Sequence, residues 1–366
     1  MKTVVVGLSG GVDSSVAAYL LKQQGYNVIG LFMLNWEEND DNGHCTAEQD
    51  FEDVKRVANK IGIPYYTVNY SKEYKDRVFK YFLDEYAKGY TPNPDVMCNK
   101  EIKFGPFLEH ALELGADYIA TGHYCKRVDR DGKTYLYKAH DLNKDQTYFL
   151  NQLNQEQLSK TLFPLADIDK PKVREIAKSL GLTTAEKKDS TGICFIGERN
   201  FRKFLKSFLP ANKGKIVDLN GNVVGEHEGV MYYTIGQRRG LNIGGKNGYE
   251  ADRWFVVDKD VKTNTLIVNC GECDEMYSTA CILTDFNWIA DKLSGEFFSN
   301  VKLRYRQPDQ RTKVTVLDEK TLRLDFEKPQ RAVTIGQFGV LYLDDGNCLG
   351  GGRIDKLVKL KSNENK

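Results

Sequence analysis

The 366-residue chain predicts an α/β protein: a parallel sheet with crossover helices over residues 1–209, followed by a β-rich remainder. Three observations carry this reading. The apolar run Val4-Val5-Val6-Gly7-Leu8 enters the glycine turn Ser9-Gly10-Gly11-Val12-Asp13-Ser14, and an apolar, helix-periodic segment over residues 16–21 leaves it. Strand and helix patterns then alternate, with a second strand expected over residues 26–33, which implies a right-handed crossover. From Lys215 onward, short alternating segments and turn signals such as Asn220-Gly221 and Asp344-Asp345-Gly346 replace helical periodicity.

Taken in order, Gly25 closes the first helix, and a polar, acidic loop from Asn35 to Cys45 leads to Thr46 and Gln49, a capping box for a helix reaching Ile61. A third strand is expected over residues 64–69 and an amphipathic helix over residues 72–87. Pro92 and Pro94 disfavour a regular helix, so residues 89–104 predict an ordered loop that delivers Asp95 and Cys98 ahead of a helix over residues 103–114. A strand over residues 117–121 ends in Gly122-His123-Tyr124, at the sheet end where ligands collect in such folds. A hairpin tipped by Asp131-Gly132, a helix starting at Lys144-Asp145-Gln146, and a helix over residues 171–180 with Pro171 in its first turn follow. A basic helix over residues 200–209 stops at Pro210, where a domain boundary is expected; a second falls at residues 278–279.

Apolar residues make up 41% of the chain, enough for several cores, and no run of eighteen of them predicts a membrane span. A strand starting at Thr3 leaves no room for a leader segment, so a cytoplasmic protein with reduced thiols is expected from its eight cysteines. The net charge of +1 hides sorting along the chain. Residues 33–53 hold eight acids and no Lys or Arg; residues 196–215 hold six Lys/Arg against one acid, and residues 301–313 five against one. Such runs suit a polyanion surface or plain solvated faces.

The opening turn has the makings of a phosphate site. Adjacent glycines let a ligand approach the backbone, the following helix offers unpaired N–H groups, and Ser9 and Ser14 add hydroxyls. Asp13 suits a helix cap or a magnesium ligand. Neither a Gly-Lys-Ser/Thr ending nor a G-x-G-x-x-G pattern is present. SGGVDS resembles instead the PP-loop of the ATP pyrophosphatases, which implies ATP used to place AMP on an acceptor oxygen; the plain alternative is a turn that only joins strand to helix.

Among the cysteines, Cys98 beside Asp95 and Cys194 beside Ser190-Thr191-Gly192 are singled out by loop placement, although buried structural cysteine is the common case. Cys270 and Cys273 have C-x-x-C spacing without a second pair and read as incidental, and no metal-binding cluster is expected. His123 reads as a core histidine or, from its strand-end position, a ligand. Gln237-Arg238-Arg239-Gly240 reads as an exposed basic loop or, with Tyr232 and Tyr233, as a grip on an RNA backbone and an unstacked base.

Seven segments in order, SGGVDS, NPDVMCN, GHY, STGICF, YTIGQRRGL, RYRQ and CLGGGRI, resemble the tRNA-specific 2-thiouridylases of bacteria, and the similarity spans essentially the whole chain. Ile335 stands where the family pattern has proline. The resemblance implies a Rossmann-like PP-loop domain, a small central domain and a C-terminal β-barrel. It further implies replacement by sulfur of the carbon-2 oxygen of the wobble uridine in tRNAs for Lys, Glu and Gln. ATP would meet Gly7, Leu8, Ser9, Gly10, Gly11, Val12, Asp13, Ser14, Met33 and Gly122, with magnesium. Cys98 would be the nucleophile and Cys194 the persulfide carrier, loaded by a sulfur-relay or cysteine desulfurase donor protein. Asn93, Pro94 and Asp95 would meet the target base, and His123, Lys144, Asp145, Gln146, Arg304, Tyr305 and Gln337 would touch tRNA.

The chemistry is coherent without the family. A pyrimidine carbonyl oxygen leaves poorly until adenylation turns it into AMP, and taking the outer sulfur of a persulfide needs a second thiol. Lys100, Lys103 and Lys187-Lys188 are expected to favour thiolate, with Asp95 as a proton-transfer group. The rivals are a PP-loop ligase acting on a metabolite, which needs no cysteine pair, and an RNA-binding protein with a vestigial nucleotide pocket.

Overall fold

An unbroken valine run must be covered on both faces, and β1 (Thr3–Gly7) accordingly sits at the centre of a parallel sheet with Val4, Val5 and Val6 buried. The computed structural model describes residues 1–37, 46–188, 201–244 and 253–360. Between β1 and β2 (Asn27–Leu34) runs α1 (Val12–Gln23); α2 (Thr46–Ile61) leads to β3 (Tyr65–Asn69). A continuous helical path follows, from α3 (Ser71–Tyr74) through a π turn to α4 (Lys80–Ala87).

Residues 89–104 correct an expectation: they are largely helical, with α5 (Pro94–Cys98) passing through a second π turn, Asn99–Lys103, before α6 (Pro106–Glu113). Pro94 occupies the first helical turn, where its missing N–H costs nothing, and the Asn93 side chain accepts from Val96 N at 3.2 Å. Then come β4 (Tyr118–Ala120), the hairpin β5 (Lys126–Arg130) and β6 (Lys133–Tyr137), α7 (Gln155–Ser159), β7 (Thr161–Leu162), α8 (Lys170–Ser179) and α9 (Phe201–Phe208). The helix expected to start at Lys144 is only a 3-10 turn, Thr147–Leu150. Asp145 turns inward to Ala139 N and the Thr147 hydroxyl instead of capping a longer helix.

The first sheet has the order β3-β2-β1-β4-β7. Its direction of growth reverses between β1 and β4, so the turns after these two strands, residues 8–11 and 121–124, open the crevice where ligands bind in such sheets. Val12, Val16 and Ala17 of α1 share an apolar cluster with Val173 and Ala177 of α8, fixing α8 beside that crevice.

A small second sheet orders as β10-β11-β8-β9, from β8 (Gly214–Val217), β9 (Val223–His227), β10 (Trp254–Asp260) and β11 (Thr265–Cys270). The last six strands are β12 (Tyr277–Trp288), β13 (Glu296–Lys302), β14 (Gln310–Val316), β15 (Leu322–Arg331), β16 (Phe338–Tyr342) and β17 (Asn347–Lys359). They run β12-β15-β14-β13-β16-β17, and β17 returns to pair with β12, closing an antiparallel barrel around Val301, Val314, Leu324, Leu341 and Ile354. The hairpin β5–β6 extends the barrel sheet, with Leu136 opposite Cys348. Among the described residues no helix is long and apolar enough to cross a membrane.

Candidate active site

The turn after β1 is shaped by two close approaches. Gly10 has φ +72, and a Cβ there would lie 2.6 Å from the Asp50 carbonyl oxygen of α2. Gly122, at the end of β4, has an ordinary φ, yet a Cβ on it would lie 2.7 Å from Ser14 N and 2.8 Å from the Asp13 carbonyl carbon. Inside the turn, Ser9 N donates to Ser14 Oγ at 3.2 Å, while the Ser14 and Ser15 hydroxyls donate to the Gly11 carbonyl at 3.1 and 2.8 Å. Leu8 N donates to the Leu31 carbonyl, continuing the sheet ladder, and the Met33 methyl lies beside Gly7. Gly11 is the N-cap of α1 and supplies no side-chain cap, so the positive end of a three-turn helix faces the crevice.

Asp13 does not cap α1. Lys170 Nζ lies 2.7 Å from each of its carboxylate oxygens, and the Tyr124 hydroxyl donates to Oδ1 at 2.8 Å. Lys187 is likewise committed: its ammonium donates to the Gly10 carbonyl at 3.0 Å, Asp50 at 2.8 Å and Asp53 at 2.7 Å. Burial disfavours that charge, but the two carboxylates outweigh it and raise the pKa. Lys187 therefore braces the glycine turn, a use that differs from the expected activation of a thiol.

Cys98 closes α5 and is 1% exposed. The segment leading to it is held by the barrel. Gln337 Nε2 donates to the Thr91 and Pro92 carbonyls at 2.9 and 3.3 Å, Asn93 Nδ2 donates to Gln337 Oε1 at 3.3 Å, and Thr91 N donates to the Ile335 carbonyl at 3.0 Å. Proline at 335 would offer the same carbonyl, so that departure leaves the hydrogen bond intact. Downstream, Asn99 Nδ2 donates to the Phe149 carbonyl at 3.0 Å, and the Tyr305 ring lies 4.5 Å from that of Phe149. Arg304 is exposed and lines, with Thr91, Gln307, Arg331 and Gln337, a cavity of about 170 Å³.

His123 links the two halves. Its Nδ1 is 2.8 Å from Thr121 Oγ1 and its ring 6.1 Å from Phe104, whose backbone N–H donates to the Asn99 carbonyl. Burial and the neighbouring Lys103 charge hold its pKa well below 6.5, so the imidazole is neutral near pH 7. Lys144 and Gln146 are half-buried, and Gln146 Oε1 accepts from Tyr124 N at 3.0 Å. Asp145 is buried, 3.6 Å from Lys302 of the barrel, with its pKa raised by burial against the opposing pull of Lys302. Cys194 and Ser190-Thr191-Gly192 lie outside the described residues.

Three family models match the chain in succession. They are the tRNA methyl transferase HUP domain over residues 2–198, the tRNA methyl transferase PRC-barrel domain over 202–270 and the aminomethyltransferase beta-barrel domain over 278–354. The chain is 58% identical over 358 residues to the tRNA-specific 2-thiouridylase MnmA of Bacillus cytotoxicus, spanning 97% of this chain and 95% of that one. It is 57% identical over 358 residues to the protein of the same name from Alkaliphilus oremlandii, spanning 97% and 98%. The chain belongs to the tRNA-specific 2-thiouridylase family.

Within this thiouridylase-family fold, one sequence reading changes. Tyr232 and Tyr233 are buried, the first with its hydroxyl on the Leu209 carbonyl, so neither is available to an unstacked base. Arg238 and Arg239 beside them are exposed. Cys273 is a poor nucleophile, its thiol pushed up to about 11 by burial and Glu275, and no cluster of three or more metal-ligating side chains occurs among the described residues. Nothing in the sequence marks Lys170 and Tyr124 as partners of Asp13. A lysine at a helix start 157 residues away carries no local signal of that ion pair.

Proposed function

We propose that this thiouridylase-family enzyme exchanges the carbon-2 oxygen of the wobble uridine in tRNAs for Lys, Glu and Gln for sulfur, in two steps. The observation that carries the reading is continuity: Gly122 touches the glycine turn, His123 next to it meets Phe104, and Phe104 is tied to the π turn that follows Cys98. The glycine turn and the helix that bears Cys98 are thus joined through Gly122, His123 and Phe104, while on the barrel side Arg304 shares a cavity with Thr91 and Tyr305 lies against Phe149, whose carbonyl takes Asn99.

In the first step the base, extruded from the anticodon loop toward Asn93, Pro94 and Asp95, attacks the α-phosphorus of ATP through its carbon-2 oxygen, and pyrophosphate leaves. Residues 7–14, Met33 and Gly122 hold the nucleotide. Magnesium fits here: the ion takes one or two carboxylates beside substrate phosphates, and Asp13 supplies one once Lys170 releases it. In the second step the outer sulfur of a Cys194 persulfide attacks carbon 2 and AMP leaves. Cys98 thiolate then attacks the inner sulfur, which leaves the thiocarbonyl on the base and a Cys98–Cys194 disulfide for a two-electron reductant. Prior release of sulfide by Cys98 fits the same residues. The donor loading Cys194 is a sulfur-relay or cysteine desulfurase protein.

Lys144, Gln146, His123, Arg304, Tyr305 and Gln337 are assigned to tRNA contact. Asp145 acts by fixing its neighbours. We assign residues 1–209 to the catalytic domain, 210–278 to the central domain and 279–366 to the barrel, in a cytoplasmic enzyme. The test is incubation with tRNA, ATP, magnesium and a persulfide source, followed by mass spectrometry of the nucleosides. 2-Thiouridine supports the reading. Its absence, or a methylated base formed with a methyl donor as two family-model descriptions would have it, overturns it.

A further inference from the structure

We propose that Lys170 is the cation of the phosphate site: its ammonium binds the pyrophosphate half of ATP, and in the nucleotide-free enzyme it neutralises Asp13 in place of magnesium. The inference rests on residues 7–14 being the ATP site. A Walker loop carries its own lysine for the phosphates, whereas this chain has no Lys or Arg between Lys2 and Lys22. Lys170 fills that gap in space. It sits at the start of α8, its backbone N–H on Asp141 Oδ2 at 3.1 Å and the helix capped by Asp169, and its side chain crosses to the first turn of α1.

The environment suits exchange better than a permanent tie. Lys170 Nζ is equidistant from the Asp13 oxygens at 2.7 Å; the lysine side chain is 9% exposed and the aspartate 34%. The anchored partner is therefore the lysine, and the carboxylate faces the crevice. The helix dipole already favours a carboxylate in the first turn of α1, so Lys170 is not needed merely to hold Asp13 there. With ATP and magnesium bound, Asp13 would supply a carboxylate to the ion and the Lys170 ammonium would turn to a phosphate oxygen. Each charge is paired before and after.

The experiment is calorimetric titration of the full-length wild type and Lys170→Met with magnesium plus ATP, magnesium plus inorganic pyrophosphate, and adenosine alone. Removing one charge-assisted hydrogen bond should weaken ATP and pyrophosphate about 10- to 100-fold in Lys170→Met, with adenosine unchanged. The magnesium concentration for half-maximal ATP binding should fall in the same variant, because Asp13 no longer has a competitor. Lys170→Arg, which keeps the charge, should recover part of the ATP affinity. Equal ATP and pyrophosphate affinities in wild type and Lys170→Met would overturn the role, as would an equal weakening for adenosine accompanied by a lowered melting temperature, which marks a structural tie. A wild type that binds neither ATP nor pyrophosphate would overturn the ATP-site reading itself.

Discussion

Gly122→Ala separates a wall of the nucleotide turn from a mere bend in the chain. The added methyl would sit 2.7 Å from Ser14 N, 2.8 Å from the Asp13 carbonyl carbon and 3.0 Å from Asp13 Cβ. The two closest atoms are backbone, so no rotamer change relieves them. Restoring an ordinary separation of about 3.5 Å from 2.7 Å parts the two segments by about 0.8 Å. Overpacking of this kind costs about 1–3 kcal/mol of stability. Displacing a reacting group by about 1 Å costs on the order of 100-fold in rate, so kcat/KM for ATP should fall by about 10- to 100-fold. The assay is tRNA-dependent pyrophosphate release at varied ATP, with thermal melting alongside. Gly132→Ala is the control: its φ is +75 with nothing within 4 Å of a Cβ, so it carries backbone strain without collision and should leave the ATP kinetics unchanged. A folded Gly122→Ala enzyme with wild-type kcat/KM for ATP would refute the placement of β4 against the phosphate turn.

Cys98→Ser and Cys194→Ser should each abolish 2-thiouridine in the nucleoside assay while tRNA binding persists on filters, and Cys273→Ser, whose thiol is held at about 11, should turn over like wild type. His123 has a folded pKa below its unfolded value, so it contributes stability that is complete above about pH 6.5 and is lost as pH falls through the folded value. Urea unfolding should show stability declining below that pH by at most about 1.4 kcal/mol per pH unit from this group, and His123→Asn should flatten that part of the curve; an unchanged slope counts against an imidazole held neutral in the folded state. Arg304→Ala should weaken tRNA binding at low salt and reduce the slope of log affinity against log salt by about one, as expected when one phosphate is no longer neutralised; an unaltered slope removes Arg304 from the RNA surface.

The parts legible in the sequence are those where chemistry is local. The valine run, the paired glycines and the strand-end Gly-His each act within a few residues of themselves, and the crevice forms where those patterns place it. The segment around Cys98 reads as loop because two prolines two apart disfavour a helix, whereas Pro94 at a first turn with Asn93 as cap begins one. Sequence proximity pairs Lys187 with Cys194, but its ammonium is held by Asp50 and Asp53 of another helix. Tyr232 and Tyr233 read as surface aromatics beside basic residues, and packing buries both. Each difference involves a partner set by tertiary packing, which no spacing rule encodes.

The barrel and the N-terminal α/β domain meet at two polar seams, which bear on the proposed coupling of tRNA binding to the Cys98 thiol. At the first, Gln337 holds the carbonyls just before α5 and so sets where Cys98 lies. At the second, Lys302 lies 3.6 Å from Asp145 and 4.0 Å from Asp309, which also takes Lys138, while Thr147 bonds both Asp145 and the Tyr342 hydroxyl. A buried ion pair adds little net stability over an apolar pair of the same size, but breaking one side costs about 3–5 kcal/mol because the other charge is stranded. The pair therefore restricts how the domains meet more than it strengthens them. Lys302 lies two residues before Arg304, and Asp145 lies between Lys144 and Gln146. On the function proposed above, an anticodon loop drawn to Arg304 and Tyr305 would be presented at a fixed distance from the glycine turn and from α5.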